Sequence, residues 1–247
     1  MKEQLTEIIR KVYYKKNRNL FTFLTGAGIS AESGIKTFRD ADGLWEGHDV
    51  MEVASPEGWH KNKELVLDFY NQRRRQLHQV KPNLGHFTLA ELEADFDIQI
   101  ITQNVDDLHE RAGSKQVIHL HGNIMQAKSS GPRQEEKYYP VSGSLDLKKD
   151  VCEEGYPLRP HVVWFGEEVP NYEKARAIIQ KATVFIVIGT SLNVYPAAGL
   201  IHYTSPDCRC FLIDPNAAEL NVPQHFTVLK TGAAEGMKNI MELFSEK

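Results

Sequence analysis

Polar residues with catalytic potential follow two apolar segments of the chain. Gln103, Asn104 and Asp106 come directly after one such segment, and His121 comes directly after another. Imidazole takes up or releases a proton near neutral pH, and amides with a carboxylate can orient a polar ligand. The ordinary alternatives are that Asn104 or Asp106 caps a helix and that His121 is a structural hydrogen-bonding residue.

A glycine-rich turn follows a third apolar segment, 20–24. Gly26, Gly28 and Ala31 fit the relaxed pattern glycine-x-glycine-x-x-glycine or alanine. In such a turn glycine lets backbone amides approach a pyrophosphate, and the next helix presents its positive end. The pattern alone is weak evidence for dinucleotide binding.

Two more strand ends carry small polar or acidic residues. Gly189, Thr190 and Ser191 follow an almost wholly apolar run, and Asp214 follows another. Asp214 could accept hydrogen bonds from ribose hydroxyls. The alternatives are an ordinary strand-to-loop turn at 189–191 and a simple turn after Asp214.

Apolar runs and helical spacing alternate along the chain and predict the elements that must position these residues. Strands are predicted over 20–24, 98–102, 117–120, 184–188 and 211–213, and helices over 5–13, 63–79, from 83 onward, 173–182 and 235–245. This alternation predicts an α/β fold, a Rossmann-like doubly wound parallel sheet, in which ligands bind at the carboxyl ends of the strands.

Two loop-rich segments interrupt this pattern and predict a smaller inserted domain. The predicted Rossmann-like domain comprises residues 1–35, 83–122 and 161–247. The small domain comprises residues 36–82 and 123–160, and within its second part residues 124–157 are predicted to be an irregular polar module.

Composition narrows the class of protein. The 247 residues carry 29 Lys and Arg against 33 Asp and Glu, a net charge of −4, so no global attraction to nucleic acid or membrane is expected. No membrane span or secretion signal is found. Cys152, Cys208 and Cys210 are too few for a disulfide framework or a four-cysteine zinc site, which predicts a cytoplasmic protein.

The motifs together are specific, although each alone is modest. They are Gly-Ala-Gly-Ile-Ser at 26–30, Thr-Gln-Asn-Val-Asp at 102–106, His-Leu-His-Gly at 119–122, Phe-Gly-Glu at 165–167 and Gly-Thr-Ser at 189–191. In this order they resemble the sirtuins, from about residue 19 to the end. The run from Phe69 to Leu77 resembles the bacterial CobB-type, class III sirtuins most closely.

The resemblance implies an NAD-dependent protein-lysine deacylase that releases nicotinamide and O-acyl-ADP-ribose. His121 would be the base, and Asn104 and Asp106 would position the ribose and the nicotinamide carboxamide. The implied cofactor-binding set is Gly26, Ala27, Gly28, Ser30, Phe38, Arg39, Gln103, Asn104, Asp106, Gly189, Thr190, Ser191 and Asp214. Phe38 would shield the reactive sugar from water.

The implied partner is an acyl-lysine protein or peptide that adds as a strand in the cleft between the domains. Its implied contacts are Val163, Phe165, Gly166, Glu167, Asn193, Val194 and Tyr195. The chain is expected to be a monomer that contacts neither nucleic acid nor membrane.

Tyr70 and Arg73 lie three residues apart on a predicted helix and share a face. The pair resembles the Tyr-x-x-Arg of class III sirtuins and implies that succinyl- or malonyl-lysine is bound through its far carboxylate. The small Ala31 suits a wider pocket. The alternative is a solvated basic face, since three arginines are adjacent; the class III context favours deacetylase and desuccinylase activity together.

Most sirtuins hold a structural zinc with two cysteine pairs, which this chain lacks. Ser129 stands where the first cysteine is expected, and only Cys152 lies near the second pair. His119 and His121 with Cys152 are a less favoured ligand set, because His121 is needed in the cleft. A zinc-free module is therefore expected, held by packing of Tyr138, Tyr139, Val141, Leu145 and Leu147.

Three alternatives share parts of this pattern. An ADP-ribosyltransferase or NAD hydrolase would use the same cofactor site but has no use for Tyr70 and Arg73. A non-catalytic NAD- or ADP-ribose-sensing module would not need His121, Asn104 and Asp106. A Rossmann dehydrogenase fits worst, because the acidic residues after the glycine turn lie in a loop.

Overall fold

The computed structural model of the protein describes residues 20–36, 44–217 and 220–237. The strands are β1 Leu20–Thr25, β2 Leu44–Trp45, β3 His48–Asp49, β4 Asp97–Thr102, β5 Val117–His119, β6 Gly122–Ser129, β7 Tyr138–Pro140, β8 Leu158–Val162, β9 Val184–Ile188, β10 Arg209–Ile213 and β11 Phe226–Leu229. The helices are α1 Ala27–Ala31, α2 Val50–Val53, α3 Pro56–Lys61, α4 Lys63–Gln79, α5 Leu84–Leu92, α6 Leu108–Ala112 and α7 Tyr172–Ile179, with a 3₁₀ helix at Ala197–Tyr203.

A six-stranded parallel sheet in the order β11-β10-β9-β1-β4-β5 forms the larger part of the molecule. The chain runs outward from β1 through β4 to β5, and later returns to β9 on the other side of β1. This reversal makes the carboxyl end of β1 the switch point where ligands of doubly wound sheets bind. The predicted Rossmann-like fold is confirmed.

The strand register brings the predicted site residues level with one another. Thr25 pairs with Thr102 on one side and with Ile188 on the other, and Ile188 pairs with Ile213. The residues that follow these strand ends therefore lie along one edge of the sheet. That alignment follows from parallel pairing, which the apolar pattern predicts without giving the register.

Both faces of the parallel sheet are buried. Phe21 and Phe23 pack on one face with Ile186, whereas Leu24 and Val187 pack on the other. Alternate side chains of a strand point to opposite faces, so two hydrophobic clusters form from the same strands. This explains why the strands read as unbroken apolar runs.

The described part of the segment 36–82, from residue 44 onward, contains more secondary structure than the sequence suggested. Within it the β2–β3 hairpin, α2 and α3 precede α4, whose predicted bounds are confirmed. The Asn62 side chain caps α4 by accepting a hydrogen bond from the Leu65 amide at 3.1 Å. Short elements with few apolar positions give little periodicity, which is why they read as loop.

The interpretation of 124–157 as an irregular module is wrong in part. β6 pairs antiparallel with β7 and with β8, which makes a three-stranded sheet packed against α4. Leu145 is buried there, and Tyr139 packs beside it. The strands were missed because β6 mixes polar and apolar residues; β11 was also missed. The predicted domain boundaries stay predictions.

Helices predicted over 5–13 and 235–245 lie wholly or mostly outside the described residues. In the part of the chain that is described, no helix combines the length and the apolar character needed to span a membrane.

Ser129 and Cys152 meet inside the antiparallel module. The Ser129 hydroxyl donates to Cys152 Sγ at 3.3 Å and accepts from the Gly131 amide at 3.0 Å. Within residues 20–36, 44–217 and 220–237, no cluster of three or more His, Cys, Asp or Glu side chains suited to a metal is found. A serine–cysteine hydrogen bond thus occupies this part of the module.

Candidate active site

A cavity of about 580 Å³ lies at the carboxyl ends of β1, β4, β9 and β10. Of the predicted site residues it is lined by Gly26, Ala27, Gly28, Ala31, Arg73, Gln103, Asn104, Asp106, His121, Val163, Phe165, Gly166, Glu167, Gly189, Thr190, Ser191, Val194, Tyr195 and Asp214. Its size suits a small-molecule ligand. The sequence-predicted cofactor and substrate residues therefore meet in one place.

A few predicted residues lie elsewhere. Ser30 and Tyr70 are buried behind the cavity wall, and Asn193 lines a separate depression beside the 3₁₀ helix. Phe38 and Arg39 lie outside the described residues.

The glycine turn is fastened to β9 by its own amides. Gly26 N–H donates to Ile188 O at 3.0 Å, and Gly28 N–H donates to Gly189 O at 2.8 Å. A β-carbon on Gly28 would lie 2.6 Å from the Gly189 Cα atom. The amides of Gly26 and Gly28 are thus used within the protein, and the expected contact of this turn with a pyrophosphate stays a prediction. Glycine is required here for close backbone packing.

Ser30 is the centre of a buried hydrogen-bond network that joins the glycine turn to β4. Asn104 Nδ2 donates to Ser30 Oγ and to Gly26 O, each at 3.1 Å. Ser30 Oγ donates to Asp106 Oδ2 at 3.0 Å, and the Leu108 amide donates to Asp106 Oδ1 at 3.2 Å. The Asp106 bond to Leu108 resembles the capping alternative, but Asp106 also lines the cavity.

His86 determines the direction of the hydrogen bonds in this network, and no sequence motif singled it out. The Asn83 amide donates to His86 Nδ1 at 3.3 Å, and burial lowers the pKa of His86 to about 4. The neutral ring therefore carries its proton on Nε2, which lies 3.4 Å from Ser30 Oγ and donates to it. With Asn104 also donating to Ser30, the serine proton must point to Asp106.

Burial is the largest influence on the pKa of Asp106. It raises the pKa of this carboxyl to about 6, against the opposing hydrogen bonds from Leu108 and Ser30 and the nearby His119. At neutral pH Asp106 is an anion, held in a fixed orientation by two donors. It can accept a hydrogen bond from an amide or hydroxyl group in the cavity.

His121 is oriented by a backbone carbonyl. Its Nδ1 lies 3.0 Å from Gln103 O, which can only accept, so Nδ1 carries the proton. Nε2 is then the basic nitrogen of a side chain that lines the cavity. Burial lowers the pKa of His121, offset in part by the Gln103 bond, so the ring is a neutral base at pH 7.

His119, two residues earlier, is a charged support that the sequence-based interpretation considered only as a metal ligand. Nδ1 donates to Asn104 O at 3.0 Å and Nε2 donates to Glu110 Oε1 at 2.7 Å. Burial opposes the charged ring, but the Glu110 bond and charge outweigh it and the pKa of His119 is raised. The bond from His119 to the Asn104 carbonyl oxygen therefore helps to hold the backbone of Asn104 in place.

Arg73 carries polar atoms without a partner. Its guanidinium lies over the Phe69 ring at 4.7 Å, and its Nε and one terminal nitrogen are buried with no hydrogen bond to any described residue. Arg74, in contrast, is buried and donates to Ile124 O in β6 and to Asn71 Oδ1. The three adjacent arginines are thus not one solvated face.

Tyr70 is fully buried one turn before Arg73. Its hydroxyl accepts a hydrogen bond from Trp164 Nε1 at 3.0 Å, and burial raises its pKa. Trp164 also stacks under the guanidinium of Arg159. The two terminal nitrogens of this guanidinium donate to the two carboxylate oxygens of Glu167, each at 2.8 Å. This Arg159–Glu167 pair was not predicted; it supports the segment that contains Phe165 and Gly166.

The Sir2 family model matches residues 26–196, so the fold and the site define a member of this class. The chain belongs to the Sir2 family, the sirtuins.

Curated relatives agree with this assignment. An NAD-dependent protein deacylase of Helicobacter pylori is 52% identical over 218 residues, which cover 88% of this chain and 94% of the relative. An NAD-dependent protein deacylase of Bacteroides thetaiotaomicron is 49% identical over 224 residues, 89% of this chain and 95% of the relative.

Solved structures agree as well. A Sir2 homologue in complex with NAD has a TM-score of 0.81 and 34% identity, and the match covers 95% of this chain and 93% of that one. A mutant Sir2 homologue in complex with ADP-ribose has a TM-score of 0.81 and 34% identity, covering 96% of this chain and 98% of that one.

Proposed function

We propose that this chain is an NAD-dependent protein-lysine deacylase. One observation carries the proposal: the neutral base His121 lines the same cavity as the oriented pair Asn104 and Asp106, at the switch point of the sheet. The membership of the Sir2 family and the relatives named NAD-dependent protein deacylase support it.

The residues of the cavity fit NAD. Gly26, Ala27 and Gly28 lie beside Gly189 and Thr190, and these five residues line one wall of a cavity whose size suits a small-molecule ligand. NAD would supply an electrophilic sugar carbon that is exposed to the acyl oxygen as nicotinamide leaves.

Each polar side chain has a distinct role in the proposal. Asp106 accepts a hydrogen bond from the nicotinamide carboxamide, and Asn104 orients the adjacent ribose. Gln103 Nε2 donates to Thr190 Oγ1 at 3.0 Å, which ties the ribose side of the cavity to β9. Asp214, at the end of β10, accepts from the adenosine ribose hydroxyls.

His121 is proposed as the general base that takes the proton of a ribose hydroxyl at Nε2. Its removal should lower kcat/KM for an acetyl-lysine peptide at least about 100-fold. The test incubates wild type and His121→Ala with NAD and peptide, and follows O-acyl-ADP-ribose by mass spectrometry. Nicotinamide release at the same rate with and without peptide would instead favour the NAD hydrolase.

We further propose that the enzyme accepts dicarboxylic acyl groups such as succinyl as well as acetyl. The support is the partly buried Arg73 guanidinium, which lines the cavity and has no hydrogen-bond partner among the described residues. An unpaired buried donor is costly, so a bidentate ligand carboxylate would stabilise it. Tyr70 keeps a hydroxyl proton that no described residue accepts, but it is buried behind the cavity wall, so its proposed hydrogen bond to the same carboxylate requires this wall to open.

Substitution of Arg73→Met should lower kcat/KM for a succinyl-lysine peptide about 10- to 100-fold, with the acetyl value within about threefold. Arg75→Met is the matched control, because Arg75 is exposed and bonds Ser144 outside the cavity. An equal loss on both peptides would contradict the assignment.

The peptide itself is proposed to bind as a strand between Gly166 and Val194, both of which line the cavity. Tyr195, which also lines the cavity, is 72% exposed and is therefore accessible to a bound peptide. Backbone pairing of this kind selects little for sequence.

A further inference from the structure

The β2–β3 hairpin brings a carboxylate to the acyl end of the cavity. Trp45 packs edge-on against Phe69 and Tyr70, with ring centroids 5.0 and 5.9 Å apart. Glu46 follows in the turn with a left-handed φ of 50°, and it lines the same cavity as Arg73. Neither the sequence motifs nor the proposed mechanism uses Glu46.

Glu46 pairs with Lys36 and acts electrostatically on Arg73. Its Oε2 lies 3.3 Å from Lys36 Nζ; Lys36 is 70% exposed, whereas Glu46 is only 16% exposed. Burial lowers the pKa of the Arg73 guanidinium. Two carboxylates counteract this effect, and Glu46 raises the pKa more than Asp68 does. Glu46 is therefore the main negative charge that Arg73 meets inside the cavity.

We propose that Glu46 is a specificity-determining residue, a built-in counter-charge that lets the cavity accept a neutral acyl group beside Arg73. This inference rests on the proposed lysine-deacylase function.

With an acetyl group bound, Arg73 has no ligand carboxylate, and an uncompensated buried cation would be costly. Glu46 reduces that cost. With a succinyl group bound, two carboxylates share the field of Arg73, and their repulsion limits affinity for the anionic chain. Glu46 thus broadens the acyl range at the expense of selectivity for dicarboxylic chains.

The test is the ratio of kcat/KM for succinyl- and acetyl-lysine peptides. Glu46→Gln should raise this ratio about fivefold, because about 1 kcal/mol of repulsion between partly solvated carboxylates is relieved. Lys36→Met should lower it, because Glu46 then competes alone for Arg73. Asp68→Asn is the matched control: Asp68 also acts on Arg73 but does not line the cavity, and the ratio should stay within about twofold.

Glu46→Gln is expected to raise the ratio and Lys36→Met to lower it. These opposite changes distinguish a role in specificity from a purely structural role of the Lys36–Glu46 pair. If the Lys36–Glu46 pair only fastened the chain, both variants would lower both activities or raise KM for NAD, with an unchanged ratio. That result would overturn the role of Glu46.

The Arg73→Met variant separates this inference from the proposed acyl range. If Arg73→Met lowers the ratio but Glu46→Gln leaves it unchanged, the acyl assignment stands and the role of Glu46 is overturned. If Arg73→Met itself leaves the ratio unchanged, the acyl assignment is overturned and the Glu46 inference with it. In the Arg73→Met background, Glu46→Gln should change the ratio less than in wild type.

Discussion

At the scale of single residues, the site is a set of buried polar groups whose proton positions are determined by their neighbours. A backbone amide selects the tautomer of His86, His86 and Asn104 saturate the acceptor capacity of Ser30, and Ser30 must then donate to Asp106. His121 is oriented in the same way by a carbonyl. The result is a cavity in which Asp106 is an anion of fixed orientation and His121 is a base of fixed orientation.

The Asp106 carboxylate has a cost in stability that depends on pH. Its pKa is raised to about 6, so between pH 4 and 6 the folded chain binds more protons than the unfolded chain and stability falls as pH rises. Asp106→Asn removes this charge. It should gain on the order of 1–3 kcal/mol in free energy of unfolding at pH 7.5 and almost nothing at pH 3.5, while deacylation is lost.

Urea unfolding at both pH values measures this difference. Asp107→Asn is the neighbouring control; Asp107 pairs with Arg111 at 3.6 Å and should show no gain at pH 7.5. A variant that is equally destabilised at both pH values would mean that hydrogen-bond geometry outweighs the charge.

At the scale of elements, parallel pairing and close backbone contact bring the strand ends together. β9 and the glycine turn touch so closely that Gly26 and Gly28 have no room for a side chain. Added volume at such a contact cannot be absorbed by rotation of a neighbouring side chain, because the neighbour is backbone.

Gly28→Ala should therefore lower the free energy of unfolding by about 1–3 kcal/mol and weaken NAD binding. Gly143→Ala is the control, since a β-carbon there meets nothing within 4 Å and Gly143 needs no left-handed φ. Thermal unfolding and NAD titration measure both effects. Equal stability of the two variants would show that the turn can shift away from β9.

The sequence predicted five of the six strands of the parallel sheet, helix α4 and cavity-lining residues that follow the strands, because long apolar runs and strand-end motifs carry strong local signals. The sixth strand, β11, was missed. The sequence also did not predict the β2–β3 hairpin or the β6–β8 sheet, whose short mixed strands are stabilised by distant partners such as Leu145 and Trp164. Nor could it predict His86 or Glu46, since their roles depend on which side chains the fold brings within a few ångströms.

At the scale of the whole molecule, a sheet buried on both faces is joined to a module with its own hydrophobic cluster. That third cluster includes Phe69, Leu145, Cys152, Leu158 and Trp164. In it, Cys152 is a buried thiol that accepts from Ser129. Burial of this apolar surface stabilises the module.

The module should therefore keep its stability when metals are removed. Treatment with a strong chelator should leave the unfolding temperature within about 1 °C and the purified protein should carry well under one zinc per chain. Leu145→Ala, in contrast, should cost about 2–4 kcal/mol by opening a cavity in the cluster. Stoichiometric zinc whose loss lowers the unfolding temperature would contradict the packing account.

The two hydrogen bonds from the glycine turn to β9 have a consequence for ligand recognition. Since Gly26 and Gly28 are anchored by their own amides, this wall of the cavity takes its shape when the chain folds, and a ligand need not impose order on it. The loss of backbone freedom there belongs to folding and not to binding. The turn is therefore pre-organised for binding. The entropy change on association should come mainly from the ligand and from other parts of the cavity.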